Sequence, residues 1–197
     1  GQNTVYGGQD HDTISFGGAN GLGGNFVNGN RGDDTITGSA GIDTLLGGQG
    51  NDIVDAISGA DFINGNLGDD RLTGFGAIFG EGGNDTINVG AGGPSTVSGG
   101  DGNDTIVIRT VSQGQTSFSP VVVAGGDEGN DFIDSQNLAV ETLSGGAGND
   151  VIFSFGNESG DLLDGGAGND RLQARGGRNT LLGGDGNDSL EGGEGAE

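Results

Sequence analysis

Aspartates recur along this chain in a fixed nine-residue setting, Gly-Gly-x-Gly-x-Asp-x-(Ile/Leu/Val)-x, with clear copies at Gly47–Asp55, Gly99–Val107, Gly145–Phe153, Gly165–Gln173 and Gly183–Glu191. The residue types suit one chemistry. Aspartate brings a charged, hard oxygen, and glycines let the chain curl so that backbone carbonyls face the same point. Ca²⁺ accepts about six to eight such oxygens in a forgiving geometry, whereas Mg²⁺ demands a near-ideal octahedron and holds its waters. Zn²⁺ would want His or Cys, of which the chain has one and none. The pattern predicts several calcium ions, at least about six if each is shared by neighbouring turns.

The candidate ligands are Asp34, Asp52, Asp70, Asp85, Asp104, Asp131, Asp150, Asp170 and Asp188. Carbonyls of the turns opening at Gly29, Gly47, Gly65, Gly99, Gly145, Gly165 and Gly183 would complete the shells, with Gly80–Asp85 and Gly125–Asp131 as two further turns. Asp34 is expected to cooperate with Asp52, Asp52 with Asp70, Asp104 with Asp131, and Asp150 with Asp170 and then Asp188.

What must position these turns is a solenoid, because a short fixed period signals stacked coils. Copies run in unbroken register from Asn20, Gly29, Gly38, Gly47, Ala56 and Gly65, and resume at Gly80, Gly90, Gly99, Gln136, Gly145, Gly156, Gly165, Ala174 and Gly183. Two residues after each motif Asp or its substitute stands Ile, Leu or Val, from Ile14 to Leu190. In Gly47–Asp55 the first six residues are predicted to turn and the last three to form a strand with Val54 inward. Two units close one coil, giving an all-β fold, a parallel β-roll of roughly ten coils at the ~4.8 Å strand spacing. The repeat implies one domain over residues 1–197.

Intact and degraded units alternate. Between the good turns lie Asn20–Asn25, Gly38–Asp43, Ala56–Asp61, Gly90–Ser95, Gln136–Glu141, Gly156–Asp161 and Ala174–Asn179. Alternate units share a side of a two-unit coil, so one edge should be rich in calcium and the other sparse or empty. Residues 74–79, 108–124 and 154–155 break the repeat and are assigned to the sparse edge, the first as a pinched turn. The second reads as longer strands over 105–111 and 121–123 around a loop.

The 197 residues carry 29 Asp and Glu against 6 Lys and Arg, a net charge of -23. Crowded carboxylates repel until a cation neutralises them, so folding should depend on calcium. The same charge excludes a phosphate-binding stripe, hence a nucleic-acid partner. Without cysteine, metal replaces the disulfide as staple. Weak oxygen sites of this kind work where free calcium is high, roughly 10⁻⁴–10⁻³ M, which points outside the cell. A start at Gly1, with neither a signal peptide nor an apolar span, reads as a piece of a larger protein, expected to be monomeric.

The copies at Gly47–Asp55, Gly99–Val107, Gly145–Phe153, Gly165–Gln173 and Gly183–Glu191 resemble the calcium-binding nonapeptide repeats of the RTX, or hemolysin-type, family, and the resemblance runs through nearly the whole chain. It implies a β-roll that folds on extracellular calcium after type I secretion, with motif aspartates and turn carbonyls of paired repeats as ligands. The chain departs from the family pattern in its irregular spacings and alternate degraded turns. An accessory region of a secreted enzyme is a related reading.

Other residues read blandly. His11 is a solvent-facing turn residue, too isolated for a catalytic triad. Arg171, Arg175 and Arg178 compensate local charge. Phe16, Phe75, Phe79, Phe118 and Phe155 are expected to plug widened coils. An adhesin or surface-polysaccharide module would need a regular outward array, but outward pairs such as Ile53 and Asp55 or Arg71 and Thr73 are mixed. The third motif position lacks the Thr rank that ice binding uses. The reading is a non-enzymatic calcium module.

Overall fold

The computed structural model describes residues 2–16, 24–109, 121–136, 139–156 and 160–193. Twenty strands form two ten-stranded sheets. One sheet begins with β1 (Thr4–Gly8), β3 (Phe26–Arg31), β5 (Thr44–Gln49), β7 (Asp61–Leu67) and β9 (Gly76–Gly82). It continues with β11 (Ser95–Asp101), β13 (Val122–Glu128), β15 (Glu141–Ala147), β17 (Leu162–Ala167) and β19 (Thr180–Asp185). The other begins with β2 (Thr13–Ser15), β4 (Thr35–Thr37), β6 (Ile53–Asp55), β8 (Arg71–Gly74) and β10 (Thr86–Val89). Its second half is β12 (Thr105–Ile108), β14 (Phe132–Ser135), β16 (Val151–Ser154), β18 (Arg171–Ala174) and β20 (Ser189–Glu191). Each strand pairs in parallel with the next but one, so every coil contributes one strand to each sheet, as a β-roll requires.

Side chains alternate across each strand, and one residue per short strand faces the interior. The two inward rows run from Val5 through Leu45 and Ile78 to Leu181, and from Ile14 through Val54 and Ile106 to Leu190. From Val27 to Leu172 these side chains are fully or almost fully buried. Every aliphatic residue of the periodic pattern lies in one of the two rows. Each fully buried Val, Leu or Ile contributes about 1.5–3 kcal/mol, so a coil with one or two of them has a thin core.

The odd strands are longer than the repeat suggests. β5 runs on through Gly47, Gly48 and Gln49, leaving only Gly50–Asp52 as the turn. Gly48 stays in the ladder opposite Asn30 and Asn66 with a φ of 126°, a value glycine adopts freely. Motif positions one to three are therefore strand as well as turn.

The three interruptions fall where a short strand passes to the next long one, on the edge away from Asp34–Asp188. Phe75 alone separates β8 from β9, so residues 76–79 are strand and the turn is a single residue. Ile108 closes β12 and Val122 opens β13, short of the expected strands over 105–111 and 121–123, and residues 110–120, with Val111 and Phe118, lie outside the described residues. Ser154 ends β16. The aromatic expectation is corrected. Among the described residues Phe16 packs against the core, while Phe79 pairs with Phe62 at 5.6 Å and Phe155 with Phe153 at 5.6 Å on the outer face. These positions alternate with the inward residues, so their rings cannot enter the coil.

Candidate metal sites

The motif aspartates form one continuous column on the edge where long strands pass to short ones. Each backbone N–H donates to Oδ1 of the Asp one coil further on. Asp34 bonds Asp52, Asp52 bonds Asp70, and Asp70 bonds Asp85, all at 2.7 Å. The chain of bonds continues through Asp104, Asp131, Asp150 and Asp170 to Asp188 at 2.7–2.9 Å. Asp12, in a less regular copy, opens the column by donating to Asp34 at 2.7 Å. Spacings of 15 residues at Asp70–Asp85 and 27 at Asp104–Asp131 leave this geometry unchanged.

The second carboxylate oxygen is what makes the column chemically active. Oδ2 of Asp12, Asp34, Asp52, Asp70, Asp85, Asp104, Asp131, Asp150 and Asp170 is buried without a hydrogen-bond partner. An unpaired buried carboxylate oxygen is costly and calls for a cation or a proton. Burial pushes Asp52 and Asp85 up to about 6 and Asp70 and Asp131 up to about 7, and raises Asp104 and Asp150 as well. The bond from the preceding backbone N–H opposes the shift, and neighbouring aspartates add to it.

Each Oδ2 faces a gap that only glycine leaves open. A Cβ on Gly47 would come within 3.0 Å of both Asp52 Oδ2 and the carbonyl oxygen of Gly65 in the next coil. The same pair of oxygens meets at Gly29, Gly65, Gly80, Gly99, Gly145 and Gly165, and at Gly7 in the first coil. At Gly183 and Gly126 a Cβ would meet Oδ2 of Asp188 and Asp131. The seventh turn thus opens at Gly126, not Gly125, with Asp127 in the second glycine position at a φ of 77°. Gly7 with Asp12, Gly80 and Gly126 join the candidate set. The extra residue before Gly126 hid its register in the sequence.

Among the described residues no three acidic or His side chains converge on a point. A bound ion would draw on one carboxylate per coil and on backbone carbonyls. That all-oxygen set fits Ca²⁺, and the residues that would hold it are the aspartates of the column with the first-position glycine carbonyls.

The opposite edge is built differently. Of the positions equivalent to Gly47 there, Gly38 and Gly74 are glycine, and the others include Ala56, Val89, Ile108, Ser135, Ser154 and Ala174, all buried. Their side chains occupy the gap, and hydroxyls satisfy the acids. Ser154 donates to Asp161 at 2.6 Å, Ser135 to Glu141 at 2.7 Å, and the Ser39 backbone N–H to Asp43 at 2.7 Å. Asp61 is the exception. It accepts the Asp43 N–H at 2.7 Å, its Oδ2 has no hydrogen-bond partner, and burial pushes it up to about 6.

A second ladder runs along the outside of the turns, one residue before each motif Asp. Asn103 accepts from the Asn130 N–H, Asn130 from Asn149, and Asn149 from Asn169, at 2.8–2.9 Å. It continues to Asn187 and starts at His11, whose Nδ1 accepts the Asp33 N–H at 2.9 Å. These side chains reach forward to the next coil, whereas the motif aspartates reach back. The run of Asn before Asp was the sequence signal for it.

A parallel β-solenoid with a glycine-gated carboxylate on every coil of one edge is a calcium-repeat architecture. A family model described as RTX calcium-binding nonapeptide repeat (4 copies) matches residues 1–22, 20–54, 55–76, 77–95, 89–107, 138–172 and 164–196, and the chain belongs to this family. Among curated proteins, none matches the chain. Residues 108–137, which the matches leave out, contain the insertion and the shifted turn at Gly126. The family is a structural repeat rather than a catalytic one.

Proposed function

We propose that this chain is a calcium-binding structural module of a secreted bacterial protein, folding when it meets extracellular calcium. The observation that carries this reading is the column of buried, unpartnered Oδ2 atoms, most of which share with a carbonyl oxygen of the next coil a gap kept open by glycine. Asp34, Asp52, Asp70, Asp85, Asp104, Asp131, Asp150, Asp170 and Asp188 would each supply Oδ2. Gly29, Gly47, Gly65, Gly99, Gly145, Gly165 and Gly183 would supply carbonyls. Calcium supplies the positive charge that the column lacks. The protein's own groups fix the rest, because Oδ1 is tied to the preceding backbone N–H and leaves Oδ2 free to face the gap.

Weak individual sites and a charge of -23 make the fold dependent on calcium at extracellular levels. Members of the family are typically secreted or at the cell surface, which supports the same location here. The chain acts as one continuous rod and carries no catalytic role of its own. Crystals grown in calcium and measured near an absorption edge for anomalous scattering test the reading. At least about six ions are expected along the Asp34–Asp188 column. Two or fewer ions, or equal columns on both edges, would overturn it.

A further inference from the structure

We propose that the outer face of the sheet of long, odd-numbered strands, from β1 to β9, binds a neutral β-1,4-linked polysaccharide laid along the rod. The mixed outward pairs, Ile53 with Asp55 and Arg71 with Thr73, belong to the other sheet. The long strands differ. One outward row reads Thr4, Phe26, Thr44, Phe62 and Ala77, and the next Tyr6, Asn28, Leu46, Asn64 and Phe79. The third is glycine or asparagine until Glu81. From β1 to β7 these rows hold no charged side chain, although the chain carries 29 Asp and Glu. Further along, Glu81, Asp127 and Asp164 return charge to the same face.

The rings are placed for stacking on sugars. Tyr6 lies against Phe26 with centroids 5.9 Å apart, and Phe62 against Phe79 at 5.6 Å. Phe62 is 40% exposed. Phe26 and Phe62 share a row two coils apart, about 10 Å at the spacing of paired strands. A β-1,4-linked hexose chain is an extended ribbon that presents the same C–H face at every second sugar. One disaccharide of it is close to that spacing in length.

Between the ring pairs runs an open groove of about 390 Å³, with Asn28, Asn30, Leu46, Gln49 and Asn66 in its lining and Arg31 as its single charged side chain. Nδ2 of Asn28, Oδ1 of Asn30 and Asn66, and the amide of Gln49 make no hydrogen bond among the described residues. Such a mixed set of donors and acceptors matches hydroxyl groups, which do both.

The face is too small for a protein partner. Five coils by three outward residues cover roughly 250 Å², against about 800 Å² per partner in a stable protein interface. A second copy would also set -23 against -23, and an acidic glycan would meet the same field.

Native affinity electrophoresis of the full chain in calcium tests the proposal, with glucomannan in the gel as the neutral β-1,4 probe and carboxymethylcellulose as an anionic one. The variants are Phe62→Ala, Asn66→Gly and, on the other sheet, Phe153→Ala as a control for general aromatic adhesion. Glycine suits the φ of 75° at position 66, so Asn66→Gly removes the carboxamide without strain. Far-UV spectra verify that each variant keeps its β structure. Glucomannan should retard the chain and carboxymethylcellulose should not. Phe62→Ala should weaken binding at least about tenfold, Asn66→Gly about threefold, and Phe153→Ala not at all. No retardation by glucomannan, equal retardation by carboxymethylcellulose, full binding by Phe62→Ala or Asn66→Gly, or a loss in Phe153→Ala equal to that in Phe62→Ala would each overturn the proposal. So would a dimer in sedimentation that Phe62→Ala dissociates.

Discussion

Asp52 and Asp61 offer a matched pair for testing what the glycine gap does. Both carboxylates are almost fully buried, both accept a backbone N–H at 2.7 Å through Oδ1, both have an unpartnered Oδ2, and burial pushes both up to about 6. They differ at the position five residues earlier, which is Gly47 for one and Ala56 for the other. Asp52→Asn and Asp61→Asn each keep the volume and the Oδ1 acceptor while removing a buried charge. The local desolvation gain therefore nearly cancels between the two variants, and calcium accounts for the remainder. At free calcium a hundredfold above Kd, one lost site is worth about 2.7 kcal/mol. For a chain of this size each kcal/mol moves Tm by about 2–4 °C. Asp52→Asn should then melt ~5–11 °C below Asp61→Asn in saturating calcium, and calorimetric titration should count fewer ions only for Asp52→Asn. Equal melting shifts, or calcium lost from Asp61→Asn, would refute the gap as the determinant.

Chelation should abolish most of the far-UV β signal, since the thin core cannot outweigh the repulsion of the carboxylates; an unchanged spectrum in excess chelator would contradict this. The raised aspartates set the pH response. Their folded pKa values lie above the ordinary 3.8, so the metal-free fold holds extra protons and loses stability as pH rises from about 4 to 7. Residual structure in chelator should therefore increase on acidification, while calcium affinity, which needs the ionised form, should weaken below about pH 7, as titrations at two pH values can check. Ser154→Ala removes the donor to buried Asp161 and should cost about 1–3 kcal/mol, by an amount that does not change with calcium concentration in thermal melts.

The architecture was legible because coil stacking imposes strict periodicity: the aliphatic residues from Ile14 to Leu190 mark the inward rows without reference to anything distant. The alternation of intact and degraded turns on opposite edges was legible for the same reason, but its structural basis was not. Whether a first-position residue is gap or plug depends on where its Cβ points across coils, and Val89, Ile108 and Ser135 became plugs only once pairing placed them in register with Gly74 and Ala174. The register of the turn at Gly126 was hidden because Gly125-Gly126 reads as a motif start one residue too early. The directions of the two side-chain ladders depend on neighbouring coils, which no single repeat reveals. The outward aromatics were misjudged because an interruption in sequence suggests a widened coil, while the ladder absorbs the interruption entirely at the edge.

The constancy of the Asp column across coils of unequal length bears on how the rod would respond to force. Backbone bonds between coils and both side-chain ladders point along the rod axis, so tension applied at the two ends would peel coils off in sequence instead of shearing the sheets. An ordinary coil of 18 residues would release ~60 Å of chain as it opened. The 15-residue coil between Asp70 and Asp85 would give ~50 Å, and the 27-residue coil between Asp104 and Asp131 ~90 Å. Coils that are interchangeable in the folded rod would thus be distinguishable by extension length, with calcium setting the force at which each step occurs.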